Sequence, residues 1–153
     1  MDYEAHLKTL RKSYIEAKPR QRLNIAFQRI NNPGNGPNLL VAYVSAIEGF
    51  ARSLAMHQEA HTKQELSSLY PKFRNIGAKE LITKYLQKKI NSDSENFFGK
   101  QTWAKLGFAI DYRNLLAHEC TYLGQDKYPD LLVACEEVLR KLAEIEGLKL
   151  EGA

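Results

Sequence analysis

Eight residues, NNPGNGPN at positions 31–38, hold two prolines and two glycines and interrupt any long helix or strand that reaches them. Beyond the break, Leu39, Leu40, Tyr43, Val44, Ile47, Phe50, Ala51 and Leu54 belong to a segment that is apolar around most of a helical circumference. A helix of that kind belongs at the centre of a packed body. Nowhere does the chain alternate apolar and polar residues with the period of two that a half-buried strand requires. The expected fold class is therefore all-α, a single bundle with no linker long enough to divide it.

The remaining joints follow the same punctuation. Segments 4–17 and 20–30 are charged and of helical composition, and Pro19 parts them. Asn38 is placed to cap the apolar helix, which should run to about residue 60. Thr62 followed by Glu65 has capping-box spacing, so a new helix starts there and weakens near Pro71. Gly77 separates it from a helix over 78–90, and NSDSEN at 91–96 reads as a loop. A helix over 101–120 follows. Pro129 then opens a final helix whose Leu132, Val133, Cys135, Val138, Leu139 and Leu142 recur at helical spacing before Gly147 ends it.

Composition bounds the function classes. At 153 residues, 44% hydrophobic and 26% charged, the chain is unlike disordered, collagenous or disulfide-scaffold proteins. Its N-terminus carries charges throughout and lacks the apolar core of a signal peptide, and the apolar run at 39–47 is far short of a bilayer span. Cys120 and Cys135 allow at most one disulfide, and a reducing, cytoplasmic setting is the simpler reading. The net charge of +4 hides a division: residues 1–38 and 71–100 each hold seven basic and three acidic groups, whereas 125–153 hold four and seven. Two basic segments can steer a polyanion to the surface, and equally can be solvated helix faces.

The chemistry sits in WAKLGFAIDYRNLLAHE, residues 103–119. With Arg113 at zero and about 100° per residue, Phe108, Ala109, Tyr112, Leu115 and Leu116 share one arc, expected to be the core face. Opposite lie Arg113, Asn114, His118 and Asp111, with Gly107, Ile110 and Ala117 between them. An arginine, an asparagine and a histidine among small residues suit phosphate chemistry: the guanidinium can hold phosphoryl oxygens and the imidazole can move a proton near pH 7.

YRNLLAHE, residues 112–119, resembles the R-x4-6-H signature of the HEPN superfamily, in the subset with a polar residue directly after the arginine. The resemblance implies an up-and-down bundle of about five to six helices. It also implies a homodimer that brings two motifs around one cleft and, in many members, a metal-independent endoribonuclease of toxin–antitoxin, anti-phage or RNA-processing systems. On that analogy Arg113, Asn114 and His118 are the active-site residues, with Asp111 in support. Glu48, on the polar stripe Ser45–Glu48–Arg52 of the apolar helix, is the candidate acidic residue facing the motif, where it would hold Arg113 or His118. The alternative is a local ion pair with Arg52 on that helix's one wet edge. Members with a nucleotidyltransferase antitoxin carry a tyrosine two residues after the histidine; here Cys120 stands in that place. The motif accounts for about 101–146, residues 38–60 fit more loosely, and 1–37 read as an N-terminal helical extension to the 38–147 core.

The implied partner is RNA, cut at the 2′-hydroxyl without cofactor or metal, so DNA should be spared; an antitoxin or other protein partner fits the same picture, a membrane does not. Competing readings remain. A catalytically silent module of this type would bind a nucleotide, RNA or protein through the same face, and a purely structural dimer would make the motif a coincidence. His57 and His61, four apart, have zinc-compatible spacing without a clustered third ligand. The glycines of 31–38 do not open a lysine-bearing phosphate loop. Tyr70, Tyr85, Phe97, Phe98 and Trp103 could stack bases or fill the core.

Overall fold

The computed structural model describes residues 2–119 and 128–148, and all regular structure among them is helical. In chain order the elements are α1 (Tyr3–Glu16), α2 (Pro19–Ile30), a 3₁₀ turn (Pro33–Asn38), α3 (Leu39–Glu59), α4 (Lys63–Phe73), α5 (Ala78–Glu80), a π turn (Leu81–Tyr85), α6 (Gln87–Ile90), α7 (Ser94–Phe98), α8 (Lys100–His118) and α9 (Pro129–Ile145).

The punctuation residues act much as their chemistry demands. Pro19 and Pro129 occupy first-turn positions of α2 and α9, where a missing N–H costs nothing. Thr62 accepts from the Glu65 N–H at 3.1 Å, but the Glu65 carboxylate reaches back one residue further than a capping box would, to the His61 N–H at 2.8 Å. The 31–38 break folds into a 3₁₀ turn, with the Asn32 side chain accepting from the Gly34 N–H and Gly36 at φ 50°. The Leu39 N–H bonds back to the Gly36 carbonyl, and the Asn38 side chain makes no capping bond to α3. Two local expectations change. The 78–90 stretch is broken by the π turn, in which the Leu86 N–H reaches the Leu81 carbonyl. The 91–96 loop gives way at Ser94 to α7, because Asp93 accepts from the Asn96 N–H at 2.8 Å and caps it.

Helix α3 lies at the centre. Leu40, Val44, Ile47, Phe50, Ala51 and Leu54 are fully buried, each large one contributing about 1.5–3 kcal/mol of burial free energy. Around it pack α2 through Leu23, Ala26 and Ile30, α9 through Cys135, Val138, Leu139 and Leu142, and α8 through Leu106 and Ala109. Burial among apolar neighbours pushes the Cys135 thiol up to about 12, an unreactive group. Pro33–Glu59 is long and apolar enough to cross a membrane by length and composition alone, but 67% of that window is buried against the other helices.

Helix α1 meets the body only near its end. Ile15 is buried, and the Tyr14 hydroxyl donates to the Gly49 carbonyl at 3.0 Å. Ahead of them Tyr3, Leu7 and Leu10 are exposed. The α1–α2 corner is fastened to α3 by His57, whose Nε2 lies 3.0 Å from the Ala17 carbonyl and therefore carries the proton of that bond.

Burial holds the His57 imidazole below its ordinary titration range; the Ala17 bond opposes this and Lys18 adds to it. The folded state thus resists a proton that the unfolded chain accepts, so this contribution is complete above about pH 6.5 and declines as the pH falls below it. Urea midpoints at pH 7.5 and 5.5 should therefore separate more for the wild type than for His57→Gln, which keeps a donor but cannot titrate. Equal separations would exclude His57 as the source.

Candidate functional site

Helix α8 turns a different side to the core than the apolar arc of its C-terminal half suggests. Trp103, Leu106 and Ala109 are buried, and Ile110, Arg113 and Leu116 half-buried, which puts Arg113 on the inner side. Phe108, Tyr112 and Leu115 are 59%, 40% and 43% exposed, so three of the five expected core residues face outward while Ala109 and Leu116 face in. The reason is that α8 has apolar residues on two sides. Trp103 and Leu106, at the end clamped by α7 and α9, select the inner one, and helical spacing of three or four carries that choice on to Arg113.

Arg113 is accommodated inside because α3 supplies its counter-charge. Glu48 Oε2 accepts from Arg113 Nη2 at 3.2 Å, and Glu48 Oε1 accepts from Arg52 Nη2 at 2.9 Å. The two roles considered for Glu48 are met together. The edge it occupies is not wet, since Arg52 is 8% exposed and its guanidinium also donates to the carbonyls of Phe73 and Ile76, both at 3.0 Å. Those bonds fix the chain leaving α4. Burial works against the Arg52 charge, but the bond to Glu48, the adjacent Tyr14 phenol and the field of the Glu48 carboxylate together outweigh it and hold the guanidinium above its usual range.

Arg113 Nε donates to the Asn114 side-chain oxygen at 3.0 Å, which orients the amide. Arg113 Nη1 makes no hydrogen bond with a described residue. Asn114 and His118 are exposed and one turn apart; Asp111 is exposed on the same row and makes no ion pair with a described residue. With Gly107 these residues form one stripe along α8, spaced four, three and four. Arg113 and His118, five apart, are turned about 140° from each other around the helix. One chain therefore holds the guanidinium and the imidazole on adjoining sides rather than facing each other.

The exposed apolar residues border this stripe. The Thr102 hydroxyl donates to Glu137 at 2.7 Å, aligning α9 beside α8, and Val133, one turn before Glu137 on α9, is 56% exposed. Phe108, Tyr112, Leu115 and Val133 make an uncovered apolar surface next to Asp111, Asn114 and His118.

Other candidates resolve into structural roles. One ring nitrogen of His57 is committed to Ala17, and no group of three or more His, Cys, Asp and Glu among the described residues is set to hold a metal. Phe98 and Trp103 are buried and stacked at 5.5 Å, while Tyr85 packs edge-on against Phe73 at 4.8 Å. Cys120 lies outside the described residues. A depression of about 820 Å³ around His61, Thr62 and Glu65 shares no residue with the motif. Sequence reasoning missed the anchoring by Arg52, because its acceptors are main-chain carbonyls more than 20 residues away.

No family model, curated protein or solved structure matches this chain.

Removing Glu48 leaves two guanidinium groups without their shared carboxylate, one of them buried. Glu48→Ala should cost about 2–4 kcal/mol, against less than about 0.5 kcal/mol for Asp111→Ala. Urea denaturation followed by circular dichroism measures both, and coincident midpoints for the two variants would refute a shared anchoring role.

Proposed function

We propose that this chain is a HEPN-like domain that cleaves RNA without a metal, at a site completed by a second copy of itself. The observation that carries the reading is the bond from Arg113 to Glu48. It ties the arginine of the motif to the central helix, with Nε bonded to Asn114 and Nη1, which bonds no described residue, assigned to a phosphoryl oxygen.

The chemistry follows from the groups present. The 2′-hydroxyl of the substrate attacks the adjacent phosphorus, the bond to the 5′-oxygen breaks, and a 2′,3′-cyclic phosphate and a 5′-hydroxyl result. The imidazole of one His118 takes the proton of the attacking hydroxyl. His118 of the second copy gives one to the departing oxygen. Arg113 stabilises the negative charge that accumulates on the phosphorane, and Asn114 donates its amide N–H to a phosphate oxygen or to the imidazole. DNA lacks the nucleophile and is left intact. The apolar surface of Phe108, Tyr112, Leu115 and Val133 supports a dimer seam beside the stripe, which would set the two histidines across one cleft. The fit to a toxin, anti-phage or RNA-processing effector in the cytoplasm belongs to this proposal. So does a protein partner such as an antitoxin.

A second reading has its own observation. The Arg113 guanidinium is engaged on two sides, as in a purely structural tie, and a silent module would use the stripe to bind RNA or protein without cutting.

Cleavage of a mixed RNA pool in EDTA separates them. Wild type should leave 2′,3′-cyclic ends, and His118→Ala and Arg113→Ala, with folding checked, should each lose about 100-fold or more. Leu115→Glu should lower activity together with the dimer fraction seen by light scattering. Absence of cleavage, or equal cleavage by wild type and both site variants, would overturn the nuclease in favour of the silent module.

A further inference from the structure

The basic residues of 71–100 differ in how their charge is met. Lys72 and Lys84 pair with Glu59 and Glu80 at 3.9 and 4.0 Å, and Lys89 pairs with Glu146. Arg74, Lys88 and Lys100 stand in solvent. Lys79 does neither: it is half-buried and pairs with no carboxylate among the described residues. Its Nζ lies 4.8 Å from the centroid of the Trp103 ring and sits in the space a side chain at position 107 would take, since a Cβ on Gly107 would come within 2.8 Å of it. Trp103 is itself fixed by stacking on Phe98. The ammonium is thus held against a rigid apolar wall, over a glycine, with one side uncovered.

That side opens into a depression of about 350 Å³ lined by Gly77, Lys79, Gly107 and Ile110 together with two carboxylates, Glu80 and Asp111. Gly107 begins the stripe that continues through Asp111 and Asn114 to His118, about 16 Å further along the helix axis. A half-buried cation without a counter-ion among the described residues attracts an oxyanion, and a depression in line with the proposed scissile site is where a polyanion that reaches His118 would pass. We propose that Lys79 and Gly107 form a phosphate subsite that grips the RNA backbone a few nucleotides from the cleaved bond. The subsite deepens the nuclease reading and rests on it for the identity of the strand. Neither carboxylate of the depression forms an ion pair with the ammonium: Asp111 lies one turn nearer His118, and Glu80 pairs with Lys84 at 4.0 Å.

Binding of a fluorescent single-stranded oligouridylate tests the subsite in a His118→Ala background, where the strand stays intact. Each phosphate neutralised contributes about 0.7 to the slope of log affinity against log salt, equal to about fivefold in affinity near 0.1 M. Lys79→Gln should lower the slope by about 0.7 and weaken binding about fivefold. Gly107→Ala should do the same by displacing the ammonium, whereas Lys72→Gln should leave the slope unchanged. The chain's one tryptophan, Trp103, supplies a direct signal, so its emission should change on RNA addition and do so less in Lys79→Gln. An unaltered slope in Lys79→Gln, or an equal fall in Lys72→Gln, would overturn the subsite while leaving any cleavage by the wild type standing. A lowered slope in a protein that never cleaves would retain the subsite and remove the nuclease. Absence of binding would remove both.

Discussion

One carboxylate, Glu48, divides its two oxygens between two arginines, and two parts of the molecule are held through it. Through Arg52 it governs the main chain leaving α4, whose Phe73 and Ile76 carbonyls have the guanidinium as their donor. Through Arg113 it ties to α3 the side of α8 that Trp103 and Leu106 turn inward. Because α3 is buried around nearly its whole girth, the carboxylate rides on the least movable element in the protein. A buried charge pair is seldom a net gain over apolar packing. What it supplies is direction: apolar surfaces slide past one another at small cost, whereas two guanidiniums on one carboxylate have few acceptable arrangements.

Much of this architecture was legible beforehand. The central place of α3 follows from Leu40, Val44, Ile47, Phe50 and Leu54 on one side being joined by Ala42, Ala46, Ala55 and Met56 on the others, and Pro129 and Gly147 mark the last helix within two residues of where it begins and ends. Those are local signals, carried by residues that act on their own backbone. The rotation of α8 was not legible, because its apolar residues fall on both sides and only contact with α3, α7 and α9 decides between them. The 3₁₀ turn and α7 escaped notice for another reason. Each opens on an Asn or Asp side chain bonding two or three residues on, a signal equally at home in an open loop.

For the site, Glu48, Arg113 and Asn114 come together in one hydrogen-bonded chain, while His118 and Asp111 lie outside it on the exposed row. The α3–α8 part of the arrangement is readable only when the charge on a buried helix is asked for its partner. Lys79 gave no such signal. Its neighbour is a glycine 28 positions away, and what distinguishes it from the six other cations in its segment is partial burial without an ion pair to any described carboxylate, a property of the folded molecule alone.

The π turn at Leu81–Tyr85 makes residue number, rather than residue type, the sensitive variable in this part of the chain. Its widened ring frees the Tyr85 carbonyl for the Gln58 side chain at 3.0 Å, with Leu81 and Ile82 buried beneath. Deleting one residue there would restore ordinary helical winding and turn α5 by about 100° relative to α6. Lys79 would swing off Trp103 although no contacting side chain had changed. Substitutions across this turn are a matter of degree; an insertion or deletion is a change of register, and the alignment of α5 with α8 rests on the count being kept.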